Sequence, residues 1–345
     1  MNRNGRKSPS HARLPVSWIL AATLLVGCAG SGKQILPDQL ADEMSKGVAA
    51  VTLAEQRNGV IPRFNQSKSI ACLTGEFRVH RDIPQALQQG IFSRPVSYPA
   101  MLRFASASEQ DDSRKDIRGL SIRVSGVEGV VLWGEPGRQD FLLNSHPALF
   151  VSTPEEFLSF IRARQSGDEL KFFLNPAQPR PKSLAIVSKA RKRHLSPLDI
   201  RYWSTVPFRL GENQAQVVKY SVTPCSGYTT TSAVDAGENQ LRAAVKAHLQ
   251  QTDACFHFGV QRQTDPDSMP VEDAAVIWDE RLSPFESVAT IVIEPQTFDD
   301  PESLAACERS SFNPWQSLKA HEPLGRMNQV RRVVYDRAEK LRNKE

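Results

Sequence analysis

A tyrosine accompanied by arginines lies near the C-terminus, in a run that contains neither proline nor glycine. The run from Asn328 to Arg342 contains Ala, Arg, Leu, Glu and Lys, which favour a helix. At about 100° per residue, Arg331, Tyr335 and Arg342 fall on one face of that helix. Adjacent positive charge favours a phenolate, a hard anionic ligand that suits ferric iron. The alternative is a basic terminal helix with one packed tyrosine and solvated arginines.

Four further polar residues, Arg63, Gln66, Arg103 and Asn144, lie in or beside apolar runs. An arginine buried in such a run needs an anionic partner. Taken singly, each of the four has an ordinary explanation, as an edge-facing arginine or a turn residue at a strand end. Their order along the chain, taken together with the terminal helix, is what indicates a site.

The first 27 residues have the pattern of a signal peptide. Residues 1–13 carry four basic side chains and no acid, and the apolar segment that follows is too short to span a bilayer. The segment closes on Leu25-Val-Gly-Cys28, which resembles a bacterial lipoprotein cleavage box. That resemblance implies cleavage before Cys28 and a lipid on its thiol, and Ala29 favours the outer membrane. The alternative is an uncleaved or an ordinary secretory signal.

Removal of residues 1–27 changes the bulk properties of the chain. It leaves 318 residues, a short tether at 28–36 and one large or two smaller domains beyond it. The formal net charge falls from +5 to +1, because the leader holds four basic residues. The basic pI of about 9.0 is therefore no indication of a nucleic-acid partner.

Four cysteines remain beyond Cys28, and they lack the CxxC spacing of a metal site. The periplasm permits disulfides, but the spacing alone does not assign a pairing. Cys72 lies in a strand-like run and is predicted to be a small core residue.

The predicted elements form neighbouring runs of strands with helices added, which indicates an α+β fold built on an antiparallel sheet or barrel. A helix is predicted from Pro37 to Gln56, and Thr153-Pro-Glu-Glu156 is a capping box that opens another. The segment from Asn175 to Arg193 is predicted to cross the surface. The predicted strands are 70–79, 100–106, 118–127, 129–133, 206–210, 217–222, 255–261 and 288–293.

From Arg63 to Arg342 the sequence resembles the catalase family, especially its short members. The matching segments, in the family's order, are Arg63 to Phe77, Met101-Leu-Arg-Phe104, Asp116-Ile-Arg-Gly119, Asp140 to Phe150, Phe312-Asn-Pro-Trp315, His321-Glu-Pro-Leu-Gly325 and Arg331-x-x-x-Tyr335. The resemblance implies a catalase-like antiparallel β-barrel over residues 37–345, with haem as the cofactor and a haem-ligating helix at the C-terminus.

The same resemblance implies a role for each matching residue. Tyr335 would ligate the ferric iron of haem, and Arg331 would keep its phenolate ionised. Arg63, Arg103 and Arg342 would bind the haem propionates. Phe157 would pack on the haem edge, and Asn144 would hydrogen-bond peroxide.

Two departures from the family pattern bear on the reaction. Gln66 stands where the family has its distal histidine, and Ala105 stands where a hydroxyl would orient that histidine. A carboxamide can hydrogen-bond but has no pKa suited to moving a proton near pH 7. His146, two residues beyond Asn144, would point the same way on an extended strand and is a candidate surrogate base; the alternative is a hydrogen-bonded structural histidine.

Three functions therefore stay open. The first is a peroxide-linked oxidoreductase of the cell envelope, of peroxidase or catalase type, acting on hydrogen peroxide or an organic hydroperoxide with weakened dismutation. The second is a non-catalytic haem-binding or haem-sensing module. The third is a lipid hydroperoxide isomerase or hydrolase. The sequence leaves the oligomeric state open, and an oligomer is compatible with each of the three.

Overall fold

The computed structural model describes residues 37–213, 215–225, 230 and 237–343. The predicted signal peptide, the tether and Cys28 all lie outside the described residues. The strands are β1 Lys68–Val79, β2 Ser97–Ser106, β3 Arg118–Ser125, β4 Arg138–Asn144, β5 Tyr202–Trp203, β6 Phe208–Leu210, β7 Gln216–Pro224, β8 Ala254–Arg262 and β9 Glu286–Ile293. The α-helices are α1 Pro37–Ala54, α2 Pro154–Gln165, α3 Leu170–Leu174, α4 Pro181–Ala190, α5 Gln240–Leu249, α6 Pro301–Arg309 and α7 Gly325–Asn343.

Eight of these strands close into an antiparallel barrel. The strands pair in the order β1–β2–β3–β4–β5–β7–β8–β9, and β9 pairs with β1. The short β5 completes the ring, because Trp203 pairs with Asn144 of β4 and also with Ser221 of β7. The remaining strand, β6, pairs along β7. The expected α+β fold, an antiparallel barrel with helices added, is confirmed.

Side chains alternate between the interior and the outer face of each barrel strand. In β2, Phe104 points into an aromatic interior, in which the rings of Phe141 and Phe258 have centroids 4.9 Å apart. Arg103 and Ala105, on the opposite face, are only 2% and 1% exposed. The outer face of β2 is therefore covered by other segments of the chain, and this covered face holds the candidate site.

Helices pack outside the barrel. The buried side of α1 includes Leu40, Met44 and Val48, spaced at helical intervals, and α1 packs against both α2 and α7. At the start of α2, Thr153 accepts a hydrogen bond from the Glu156 amide at 3.3 Å, which confirms this part of the predicted capping box. Among the described residues, no helix has the length and apolar character needed to cross a bilayer.

Two disulfides link the cysteines beyond Cys28. Cys72 is bonded to Cys307, and Cys225 is bonded to Cys255. The prediction that Cys72 is a small core residue is wrong, because its partner lies 235 residues away in α6, beyond the reach of local sequence patterns.

One predicted strand is absent from the structure, and the segment predicted to cross the surface does so but contains a helix. Residues 129–133 do not form a strand; Val131 makes one isolated bridge to Leu318, in a stretch where Gly129 has a positive φ of 125°. The segment from Asn175 to Arg193 contains the helix α4, which begins with Pro181 at its first turn and has mostly exposed residues.

Candidate functional site

A row of four side-chain positions crosses the outer face of the barrel. Ser69 of β1 pairs with Ala105 of β2, Ala105 pairs with Gly119 of β3, and Gly119 pairs with Asn144 of β4. Residues that pair directly across antiparallel strands point to the same face of the sheet. The row therefore places the side chain of Ser69, a methyl group, a hydrogen atom and a carboxamide side by side.

The side chain of Gln66 lies over this row. A Cβ atom on Gly119 would be only 2.1 Å from the Gln66 Oε1, so the glycine leaves the space that the carboxamide occupies. The Gln66 Nε2 donates a hydrogen bond to the Asn144 Oδ1 at 3.1 Å. Within the described residues, the buried Gln66 Oε1 has no hydrogen-bond donor. The pair thus presents a free acceptor, the Gln66 Oε1, to which an O–H group of a ligand could donate a hydrogen bond.

The backbone of Gln66 is held in the left-handed region, at φ 57°. Its carbonyl accepts a hydrogen bond from the Arg103 guanidinium at 2.9 Å. Its amide donates to the Asn65 Oδ1 at 2.9 Å and to the Ala107 carbonyl at 3.1 Å. Such strain persists only where the surroundings impose it, and here these contacts fix the direction of the carboxamide.

The structure provides no hydroxyl at position 105 and no imidazole at position 66. Ser106, the next residue, does not substitute for the missing hydroxyl, because it is fully buried on the other face of β2. There it accepts a hydrogen bond from Arg118 and donates one to Asp112 at 3.4 Å. Gln66 and Asn144 can therefore orient a ligand, but neither can take up a proton near pH 7.

His146 does not share a strand face with Asn144. The strand β4 ends at Asn144, and the His146 Nδ1 is 3.0 Å from the carbonyl oxygen of Ala148 in the following bend. Burial lowers the pKa of His146, so the imidazole is neutral at pH 7. The extended-strand interpretation is therefore wrong, and the contact with Ala148 fits the alternative of a structural histidine.

Three arginines form a cluster beside Gln66. The Arg63 guanidinium donates to the Glu308 Oε2 at 2.7 Å, to the Glu308 carbonyl at 3.0 Å and to the Ser310 carbonyl at 2.6 Å. Arg342, from the end of α7, donates to the same Ser310 carbonyl at 3.2 Å. Arg103, the third member, donates to the Gln66 carbonyl.

The arginine cluster has more positive than negative charge. Burial, followed by the neighbouring charges of Arg103 and Arg342, lowers the pKa of Arg63 to about 9. Burial lowers the pKa of Arg103 to about 10. Within the described part of the chain, Glu308 is the one carboxylate in an ion pair with the cluster, and its side chain is 51% exposed. The buried Nε atoms of Arg103 and Arg342 have no acceptor there. All three side chains are cations at pH 7, so the cluster suits an anionic ligand.

The helix α7 places Tyr335 and Arg331 in contact. The Arg331 Nη2 donates to the Tyr335 hydroxyl oxygen at 3.2 Å, and the Arg331 Nη1 donates to the Asn328 Oδ1 at 3.0 Å. The guanidinium carbon lies 5.1 Å from the centre of the tyrosine ring. The predicted pairing of these two residues at i and i+4 is confirmed, whereas the role of Tyr335 as an iron ligand stays a prediction.

Phe157 lies in a cluster of aromatic rings. Its ring centroid is 6.4 Å from that of Phe64 and 6.3 Å from that of Phe150. Phe64 directly follows Arg63, and the Arg164 guanidinium lies 4.6 Å from the centre of the Phe64 ring. Apolar rings thus lie next to the arginine cluster, and the packing of Phe157 on a haem edge stays a prediction.

The sequence did not indicate the residues that orient the arginine cluster. Ser310 acts through its carbonyl, and Glu308 is one of several acids in a polar segment. Gly119 belongs to a quoted motif, but only the structure shows that Gln66 covers it. Among the described residues there is no group of three or more His, Cys, Asp or Glu side chains that could hold a bare metal ion.

The fold resembles those of solved catalases. The structure of a fungal catalase at 1.9 Å matches with a TM-score of 0.65 and 16% identity, over 84% of this chain and 61% of that one. For catalase A from Saccharomyces cerevisiae the TM-score is 0.65 and the identity 17%, over 84% and 63% of the two chains. A bacterial catalase has a TM-score of 0.64 and 16% identity, over 96% and 67%.

These similarities show a catalase-like fold. This chain spans less than two thirds of the length of the fungal and yeast proteins. No protein-family model matches it, and no curated protein does.

Proposed function

We propose that the protein binds haem on the outer face of its barrel and acts on peroxides as a catalase-related oxidoreductase with weakened dismutation. The observation that carries the proposal is the arginine cluster next to Gln66. Three guanidinium groups and one paired carboxylate leave an excess of two positive charges. A haem carries two propionates, which would balance that excess and supply acceptors for the Nε atoms of Arg103 and Arg342.

The position of Tyr335 supports the same proposal, because this residue would ligate the iron. Arg342 follows Tyr335 by seven residues, about 10.5 Å along the helix axis. The two residues also lie on one face of the helix. One residue of α7 could therefore ligate the iron while another holds a propionate. The Arg331 guanidinium donates to the Tyr335 hydroxyl oxygen at 3.2 Å, so it would pair with a phenolate bound to the iron.

Bound haem would supply the iron that reacts with peroxides. The protein's contribution on the distal side is orientation, because Gln66 Oε1 can accept a hydrogen bond from a peroxide O–H and Asn144 can donate one through its amide. Dismutation also requires a proton to be taken from one peroxide oxygen and returned to the other. Loss of such an acid–base group typically lowers rates by about 10²- to 10⁴-fold. Oxidation of a reducing substrate by hydrogen peroxide or an organic hydroperoxide is the activity we expect to survive.

A non-catalytic haem-binding module is the second candidate. The observation that favours it is the hydrogen bond between Gln66 and Asn144, because this bond pairs two polar groups with each other that would otherwise be available to a peroxide. Turnover measured per bound haem, with hydrogen peroxide and with cumene hydroperoxide, separates the two functions. Oxidation of a reducing dye with either peroxide supports the enzyme, and full haem occupancy without turnover supports the module.

The proposed location is the periplasmic side of the cell envelope, with a lipid on Cys28 anchoring the protein to the outer membrane. The two disulfides support this, since such bonds persist in oxidising compartments.

The cofactor is tested by a haem titration of the wild type and of three variants. Tyr335→Phe should abolish the phenolate-ligated ferric spectrum, and Arg331→Ala should retain binding but weaken the ligand by removing the cation that pairs with the phenolate. Tyr98→Phe, the same chemical change at a buried tyrosine of β2, is the control and should leave the spectrum unchanged. An unchanged spectrum in Tyr335→Phe would show that the tyrosine is not the ligand.

A further inference from the structure

The disulfide between Cys72 and Cys307 joins two segments that flank the arginine cluster. Cys72 is directly opposite Arg103 in the pairing of β1 with β2, so both side chains project from the same outer face. The disulfide joins this position to the last turn of α6, next to Glu308. It therefore connects the strand position beside one arginine with the segment that contacts the other two.

Cys307 also fixes the acceptor shared by Arg63 and Arg342. The Cys307 carbonyl accepts hydrogen bonds from the Ser310 amide at 3.2 Å and from the Ser310 hydroxyl at 2.6 Å. The Ser310 carbonyl in turn accepts from Arg63 and Arg342. A short chain of bonds thus runs from Cys72 through Cys307 and Ser310 to both guanidinium groups.

The helix α6 has few other attachments to the barrel. It is nine residues long, and Cys307 is its only buried residue. A helix of this length is not stable on its own in water, so it depends on its tertiary contacts. The Ser311 carbonyl, just beyond the helix, accepts from Arg123 at 2.6 Å and from Arg138 at 2.7 Å. Loss of the disulfide would therefore loosen the segment 307–310, which would then depend on the hydrogen bonds from Arg63 and Arg342, while the chain beyond it stays attached.

We propose that the Cys72–Cys307 disulfide is a positioning element that holds the arginine cluster ready for a cofactor carrying two carboxylates. The proposal rests on the haem function above for the identity of that cofactor. A dithiol reductant would break the S–S bond with two electrons and two protons, leaving two thiols while the reductant becomes a disulfide. Freed from the Ser310 carbonyl, Arg63 and Arg342 would separate towards water, because like charges repel and long side chains reach solvent readily. Haem retention would then depend on the redox state of this one bond.

The test compares two disulfide deletions and two ligands. The variant Cys72→Ala with Cys307→Ala removes the proposed positioning element. The variant Cys225→Ala with Cys255→Ala is the matched control, because it removes the disulfide between the end of β7 and the start of β8. Each is titrated with haemin and with haemin dimethyl ester, which lacks free carboxylates, in the same detergent buffer.

The expected result is a loss of haemin affinity of about 10- to 100-fold in the first variant, the range for groups that orient direct ligands. The control should stay within about threefold of the wild type. The dimethyl ester should bind wild type and both variants alike, since it makes no use of the arginines. An equal loss for haemin and its ester would show that the bond acts only on general stability, and unchanged haemin affinity would also overturn the proposal.

Hydrogen exchange separates a failure of this inference from a failure of the haem function. In the ligand-free protein, the Ser310 amide should exchange at least about tenfold faster in the first variant than in the wild type, and the control should match the wild type. If no form binds haemin while this difference is seen, the haem function is wrong and the positioning of the segment stands. Equal exchange in all three forms refutes the positioning itself.

Discussion

Restoring a proton-accepting group above Gly119 should restore dismutation. The change is Gln66→His together with Ala105→Ser. Gly119 has no Cβ, and the Gln66 carboxamide occupies the space that this leaves. The histidine ring would occupy the same space. The new serine would stand directly opposite Gly119, on the same face of the sheet, where its hydroxyl can bond one ring nitrogen and set the tautomer.

The magnitude follows from three contributions. A positioned acid–base group contributes about 10²- to 10⁴-fold to the rate. Histidine is among the residues enriched at positive φ, so the φ of 57° at position 66 does not oppose the change. The hydrogen bond from Gln66 to Asn144 is lost, at a net cost of about 1 kcal/mol in stability, but the unpaired buried acceptor disappears as well. A grafted site is seldom placed to within about 0.5 Å, so we expect a gain of at least about tenfold.

The assay is oxygen evolution from hydrogen peroxide per bound haem, at equal haem occupancy. Gln66→His alone should gain less than the pair, and Ala105→Ser alone should gain nothing, because a serine without an imidazole has no proton acceptor to orient. Gln66→Asn, which shortens the carboxamide without adding a base, is the matched control and should also gain nothing. A wild type already as fast as the double variant would refute the account of the distal side, and a fully haem-loaded double variant with no gain would favour the non-catalytic module.

Three further predictions concern other parts of the chain. Burial lowers the pKa of Lys219 to about 7, so the folded protein releases this proton before the unfolded chain does; stability should rise by roughly 2 kcal/mol from pH 7 to 9, and thermal melts of Lys219→Met should lack that rise. Gly119→Ala would place a Cβ 2.1 Å from the Gln66 Oε1 and should displace the carboxamide, which the NMR signal of its side-chain amide would report; an unshifted signal would contradict the placement. Cys28→Ser should release the protein from the membrane fraction, and mass spectrometry of the mature wild type should find a lipid on Cys28.

Local sequence patterns predicted those features of the site that lie within a single helix or strand. Arg331 and Tyr335 are in contact because i and i+4 residues of any helix are neighbours, and no tertiary information is needed to see it. Six of the eight barrel strands were predicted for a similar reason, since alternation of apolar and polar residues indicates a sheet with one buried face, whereas β4 and the two-residue β5 were not among the predicted strands. His146 shows the limit of that reasoning, because a strand pattern does not say where the strand stops.

The contacts that join distant segments could not be predicted in this way. The partner of Cys72 is 235 residues away, and four cysteines allow three pairings with nothing in their spacing to choose among them. A sequence pattern cannot single out the Ser310 carbonyl, because every residue carries the same backbone acceptor. The strand predicted at 129–133 fails because its β-branched residues find no partner strand and only one isolated bridge.

The two sides of the candidate site differ in the chemical groups that they contain. On the side of Gln66 and Asn144, both of the groups that would move a proton are absent. Without an imidazole at position 66, a hydroxyl at position 105 would have no ring to orient. On the side of the arginine cluster, Arg63 and Arg103 stay charged although burial lowers both of their pKa values. Burying cations with a single paired carboxylate destabilises the folded chain, and an anionic cofactor would remove that cost. A chain that bears this cost while lacking the proton shuttle fits a function that needs the haem more than it needs fast dismutation.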